Sequence, residues 1–133
     1  MDKNTMTLVF TSYRDSMNME GLKVSLDRRM PKLCSYPTLS YLVMPLARNL
    51  NELTVERICI AIIDGSWDLI RDFIQTIYDT GIKQIVFCDW CTREQIANGK
   101  FCPAGMIGKY IADRKLEFDF PLEIEYADGR EAL

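Results

Sequence analysis

Gly81-Ile82-Lys83-Gln84-Ile85-Val86-Phe87-Cys88 opens with a residue suited to closing a helix and continues into a continuous apolar strand signal. A continuous run such as Ile85-Val86-Phe87-Cys88, without polar alternation, fits a central strand covered on both faces, as in a parallel sheet. Upstream, Trp67, Ile70, Phe73, Ile74, Ile77 and Tyr78 recur at helical spacing, so a helix is expected to end at Thr80-Gly81. Helix, tight turn and buried strand make half of a βαβ unit. The expectation is a small Rossmann-like α/β domain with a largely parallel central sheet, occupying residues 1–133 as one domain.

Outward from that unit, Met6-Thr7-Leu8-Val9-Phe10-Thr11 reads as a first strand, and Leu22-Lys23-Val24-Ser25-Leu26 alternates like a half-buried second one. Met30 to Asn51, with Pro31, Pro37 and Pro45, is expected to be a long, partly ordered connection. Thr54 to Ile63 suits either a helix or a buried strand, with helix preferred. Asp64-Gly65-Ser66 is read as a break followed by a new cap. Past a polar loop carrying the turn signal Asn98-Gly99, Pro103 stands where the first turn of a helix tolerates it, and Met106, Ile107, Tyr110 and Ile111 supply its buried face. Phe118 to Tyr126 reads as a last strand, placed at an edge by Pro121.

Composition narrows function. The 133 residues are 48% hydrophobic and 26% charged, the balance of a globular protein with room for one core. A net charge of −3 argues against a surface that neutralises the phosphates of long nucleic acids. No apolar run approaches the roughly 20 residues needed to span a bilayer, and the polar Met1-Asp2-Lys3-Asn4-Thr5 lacks a following apolar region, so a cytoplasmic protein without membrane contact is expected. Five cysteines make a complete disulfide framework improbable. With no histidine, Ser-His-Asp and Cys-His catalysis and His-ligated zinc are excluded.

Ligands of open parallel sheets bind beyond the carboxyl ends of the strands. Three polar strand ends meet that description here: Thr11-Ser12-Tyr13-Arg14, then Ser25 with Asp27, Arg28 and Arg29, then Cys88-Asp89-Trp90-Cys91. The helix after Pro103 is expected to add unpaired N–H groups that favour an anion. The candidate ligand-binding residues are therefore Ser12, Tyr13, Arg14, Asp27, Arg28, Arg29, Cys88, Trp90, Cys91 and Cys102, with Trp90 or Tyr13 against an apolar ring. Cys102, near a helix N-terminus, is the candidate catalytic thiol. Asp27, Asp89 and Glu94 stand in reserve as acids or bases. Cys88 and Cys91 form a CxxC pair, but with Cys102 they supply three of the four ligands zinc needs, so no metal or other cofactor is expected. Cys59 and Cys88 read as small buried hydrophobes.

Phe10-Thr11-Ser12-Tyr13, Val24-Ser25-Leu26, Ile85-Val86-Phe87-Cys88 and Phe101-Cys102 together resemble the domain of unknown function 488 family. That resemblance implies a small α/β domain with a strand ending in cysteine and a Cys-His-Arg motif opening a helix. Here the motif stands as Cys102-Pro103-Ala104, without the imidazole and the guanidinium. The resemblance implies a fold and a site location, and the lost groups point to binding without turnover.

The expected function is thus a binding domain for a small anionic or nucleotide-like molecule at the strand ends. A sensor would suit it, as would a sequestering role of the kind some phage proteins play against nucleotide immune signals. Two alternatives stay open. One is a cysteine- or carboxylate-dependent hydrolase or transferase on a nucleotide-like substrate. The other is a protein-protein interaction module built on Leu33 to Leu46. A symmetric homodimer would suit ligand sites built between subunits.

Overall fold

The computed structural model describes residues 4–27, 29–43, 52–90, 94, 98 and 103–127, for residues 41, 52–55 and 103 the backbone only. Its sheet has four strands, β1 (Met6–Ser12), β2 (Leu22–Ser25), β3 (Gln84–Asp89) and β4 (Leu122–Tyr126), in the order β2-β3-β1-β4. Every pairing is parallel. The two apolar runs, β1 and β3, occupy the centre, because only there are both of their faces removed from water. β4 is an edge strand; Pro121 precedes it, and its carbonyl accepts the Met6 N–H at 2.9 Å. Residues 118–121, expected as strand, instead follow a 3-10 turn at Lys115–Glu117 and drop Phe118 and Phe120 into the core.

Alternation along the strands sorts the core. Met6, Leu8, Phe10, Val24, Ile85 and Phe87 face two long helices, α3 (Glu52–Asp79) and α4 (Pro103–Ala112). Val9, Val86 and Cys88 face the opposite side, where Tyr13, Cys34, Met19, Met30 and Tyr36 cover them. That cover comes from α1 (Tyr13–Ser16), the turn between α1 and β2 and the loop after β2, so the long helices all lie on one face. The connection from β1 to β2 moves one way across the sheet over the thin face. Those from β2 to β3 and from β3 to β4 move the other way over the thick one. Opposite directions on opposite faces are what crossovers of one hand require.

The expected break at Asp64-Gly65-Ser66 is overturned: α3 runs unbroken through it for 28 residues, about 42 Å. Glycine within a helix costs about 1 kcal/mol relative to alanine. Burial of Ile63, Trp67, Ile70 and Ile74 along one stripe on both sides of Gly65 outweighs that cost, since each such side chain contributes about 1.5–3 kcal/mol. Asp64, read as part of the break, accepts a hydrogen bond from Tyr110 Oη and ties α3 to α4. The helix does end at Gly81, whose φ of +96° closes it in the left-handed region. In the connection after β2, Thr38 bridges to Ser25, and α2 (Ser40–Val43) packs Leu42 and Val43 inward.

Candidate functional site

With all strands parallel, their carboxyl ends gather at one end of the sheet: Ser12, Ser25 and Asp89. Ser12 and Asp89 are register partners on the adjacent strands β1 and β3. The chain leaving β1 enters α1 on the thin face, and the chain leaving β3 reaches α4 on the thick face. Neighbouring strands whose exits part to opposite faces leave a crevice between them, the position where open parallel sheets take ligands.

Trp90 stands at the head of that crevice. Its backbone N–H donates to Asp27 Oδ2 at 3.0 Å, and its indole Nε1–H donates to the Arg29 carbonyl at 2.5 Å. The Tyr13 ring packs against it, centroids 5.0 Å apart and tilted by 62°. So held, the side chain is still 53% exposed. An exposed tryptophan costs apolar hydration, and fixing it by three contacts costs rotamer entropy as well.

Tyr13 is buried and lies under this aromatic. Its hydroxyl is 2.6 Å from Ser25 Oγ and donates to Asp27 Oδ2 at 3.2 Å. Burial, with the neighbouring Asp27 carboxylate, holds the phenol well above its ordinary range, so it serves as a hydrogen-bonding strut and not as a base. Ser25 Oγ–H in turn reaches the Asp27 carbonyl at 2.9 Å, and Thr38 Oγ1 donates to the same carbonyl at 3.2 Å. Ser12 Oγ caps α1 by accepting the Asp15 N–H at 3.2 Å.

At the other wall, Asp89 is 1% exposed and accepts the Ala104 N–H of α4 at 3.2 Å through Oδ2. The expected anion seat at this helix start is therefore occupied, at Ala104, by a carboxylate of the protein itself. Arg14 and Arg29 are exposed on the outer rim, and neither forms an ion pair with a described residue. Glu94 is exposed; its carbonyl accepts the Asn98 N–H at 3.1 Å.

Cys88 belongs to the wall only from behind. It is wholly buried on the thin face, and burial pushes its thiol up to about 11, which leaves no thiolate for chemistry near neutral pH. Cys59 is buried likewise, its thiol also raised to about 11. Cys34, Cys59 and Cys88 are all free. Arg28, Cys91 and Cys102, named from the sequence, lie outside the described residues. Among the described residues no group of three or more Cys, Asp or Glu is placed to hold a metal ion, and no helix is long and apolar enough to cross a membrane. In the stretch from Leu33 to Val43, Leu39, Leu42 and Val43 turn into the core, and Leu33 is the large apolar side chain left exposed among those described.

The strand-end residues Ser12, Tyr13, Asp27, Asp89 and Trp90 are thus brought together, with Arg14 and Arg29 at the margin. Ser25, Ser16 and Tyr36 complete the polar support: Ser16 Oγ–H donates to the Tyr13 carbonyl at 2.7 Å and lies 3.2 Å from Tyr36 Oη. Ser25 was legible as a polar strand end. Nothing local marks the Ser16–Tyr36 pair, whose members are 20 residues apart in the chain. No protein-family model, no curated protein and no solved structure matches this chain.

Proposed function

We propose that this protein is a small-molecule binding domain that takes a nucleotide-like ligand at the carboxyl ends of β1 and β3, with the heterocyclic ring stacked on Trp90. The observation that carries this reading is a tryptophan held by one hydrogen bond from its backbone, one from its indole and an aromatic contact, yet left half open to solvent. Its exposed surface is a rigid platform for a planar ring, and stacking of this kind is worth about 1–3 kcal/mol per base. The exposed guanidinium groups of Arg14 and Arg29, which form no ion pair with a described residue, suit an anionic substituent.

Binding is favoured over turnover. Asp27 and Asp89 each hold a backbone N–H of the protein, and Cys88 is sealed in the core. Retention without conversion suits a sensor or a sequestering protein. The three free, buried thiols suit a reducing compartment such as the cytoplasm.

The chain has two tryptophans, so a ¹⁵N-labelled sample has two indole N–H resonances, assigned by a Trp90→Phe variant. Titration with ribonucleoside 5′-monophosphates is expected to move the Trp90 signal and leave that of Trp67, which is 8% exposed, in place. Mass spectrometry of the mixture should return the nucleotide unchanged. Trp90 resonances that stay fixed at millimolar nucleotide would refute the reading.

A further inference from the structure

Helix α3 carries a second apolar stripe, distinct from the one that faces the core. The core stripe comprises Cys59, Ile63, Trp67, Ile70 and Ile74, all buried. At 3.6 residues per turn, Ile58, Ile62, Gly65 and Leu69 share an arc of about 60°, centred about 130° around the helix from that stripe. Ile58 and Ile62 are half-buried, Gly65 is exposed, and Leu69 is 59% exposed. Their spacing of four, three and four residues is that of a coiled-coil seam. Gly65 is a notch in it, because a Cβ there would meet no atom within 4 Å.

This seam is complementary to itself when two copies run antiparallel. With a two-fold axis between Ile63 and Asp64, Ile58 of one copy lies level with Leu69 of the other, and Ile62 with Gly65, so an isoleucine enters each notch. Residues 52–75, nearly all of α3, then lie side by side. A parallel pair would instead set glycine against glycine and leave the notch empty. The charges fit the antiparallel register too. Arg71 lies 3.2 Å from Asp68, 4.0 Å from Asp72 and 3.1 Å from Glu117, so one guanidinium serves three carboxylates. Arg57, on the same flank of the seam as Asp68 and Asp72, is exposed and forms no ion pair with a described residue. The axis brings like flanks together and sets Arg57 level with Ile70 of the second copy, between that copy's Asp68 and Asp72. We infer that this protein forms a two-fold symmetric homodimer in which α3 packs antiparallel on α3 of a second copy through Ile58, Ile62, Gly65 and Leu69, with Arg57 paired to Asp68 and Asp72 across the axis. The inference stands on α3 alone and is independent of the ligand proposed above.

Sedimentation velocity of the full chain from about 1 to about 500 µM, a range suited to a contact at the small end of specific interfaces, tests this assignment. The expected result is a monomer that becomes a dimer as concentration rises. Leu69→Asp should leave the chain monomeric throughout. Gly65→Gln fills the notch while improving helix propensity, so it should raise the thermal unfolding midpoint and yet weaken the dimer about tenfold or more. Arg57→Asp should weaken association about three- to tenfold, and adding Asp68→Arg with Asp72→Arg should restore it. A wild-type chain still monomeric at about 500 µM would overturn the inference and give the stripe to a different partner. So would a dimer that Leu69→Asp and Gly65→Gln leave intact. A dimer that those variants break, but in which the charge reversals do not compensate, would overturn the antiparallel pairing.

Discussion

Replacing Thr11 by valine should stabilise this protein, against the usual direction of core substitutions. Thr11 is fully buried in the central strand β1, on the face shared with Val9 and Cys88, and its Oγ1 has no hydrogen-bond partner among the described residues. A hydroxyl buried without a partner costs about 1–3 kcal/mol by protein mutational data. Valine is nearly the same size, is at least as good a strand former, and exchanges the hydroxyl for a methyl group suited to the surrounding Val9 and Val86. The expected gain is ~1.5 kcal/mol. Unfolding entropy of about 2.1 cal/mol/K per residue gives ~0.28 kcal/mol/K for 133 residues, so Tm should rise by about 5 °C. Urea unfolding followed by circular dichroism would show a higher midpoint at an unchanged slope. A Thr11→Val protein less stable than wild type by 1 kcal/mol or more would refute the reasoning, because it would mean that the hydroxyl is paired in solution. Thr11→Ser, which keeps the hydroxyl and loses the methyl group, should be destabilised and serves as the opposite control.

Three other perturbations follow from the same packing. Gly108→Ala would place a Cβ 2.6 Å from Tyr126 Oη, so despite better helix propensity it should cost about 1–3 kcal/mol and disturb the stacking of Tyr126 on Phe10; near-ultraviolet dichroism and urea midpoints would report it. Asp89→Ala removes the acceptor of the Ala104 N–H and should cost about 1–2 kcal/mol, with faster amide exchange in the first turn of α4; wild-type exchange there would refute the cap. Alkaline pH should destabilise the fold. Burial raises the thiols of Cys59 and Cys88 from 9.0 to about 11, so the folded state holds those protons more tightly than the unfolded chain. Their contribution is complete below pH 9 and is lost as pH rises through 11, at most ~2.7 kcal/mol each. A Cys88→Val variant whose stability falls just as steeply between pH 9 and 11 would dismiss the Cys88 share.

Periodicity carried the fold class, because it is a local property that burial imposes on any segment packed on one side. The runs Leu8-Val9-Phe10 and Ile85-Val86-Phe87 marked the two central strands, the stripe from Trp67 to Tyr78 marked α3, and Pro103 marked the start of α4. Asp64-Gly65-Ser66 misled for the complementary reason: turn chemistry is a weak local preference of about 1 kcal/mol, and burial of Ile63 and Trp67 on either side overrides it. The site was legible as a place, since parallel strands bring their carboxyl ends together and those ends are polar here.

What each residue does there was decided by tertiary structure. Asp89 reads as a possible acid or base, yet it spends its carboxylate on a helix that begins 14 residues later. Cys88 reads as a possible wall of the pocket, yet strand alternation in the observed register turns it into the opposite core. Trp90 becomes a fixed, open platform only because Asp27 and Arg29, 63 and 61 residues away, supply its two acceptors. The sequence by itself determined the central strands, the helical stripe of α3 and the polar character of the strand ends, because those follow from residue type and hydrophobic spacing along the chain. Charge, exposure and hydrogen-bond pairing at those ends follow from which distant groups the fold brings within about 3 Å, and no local pattern encodes that.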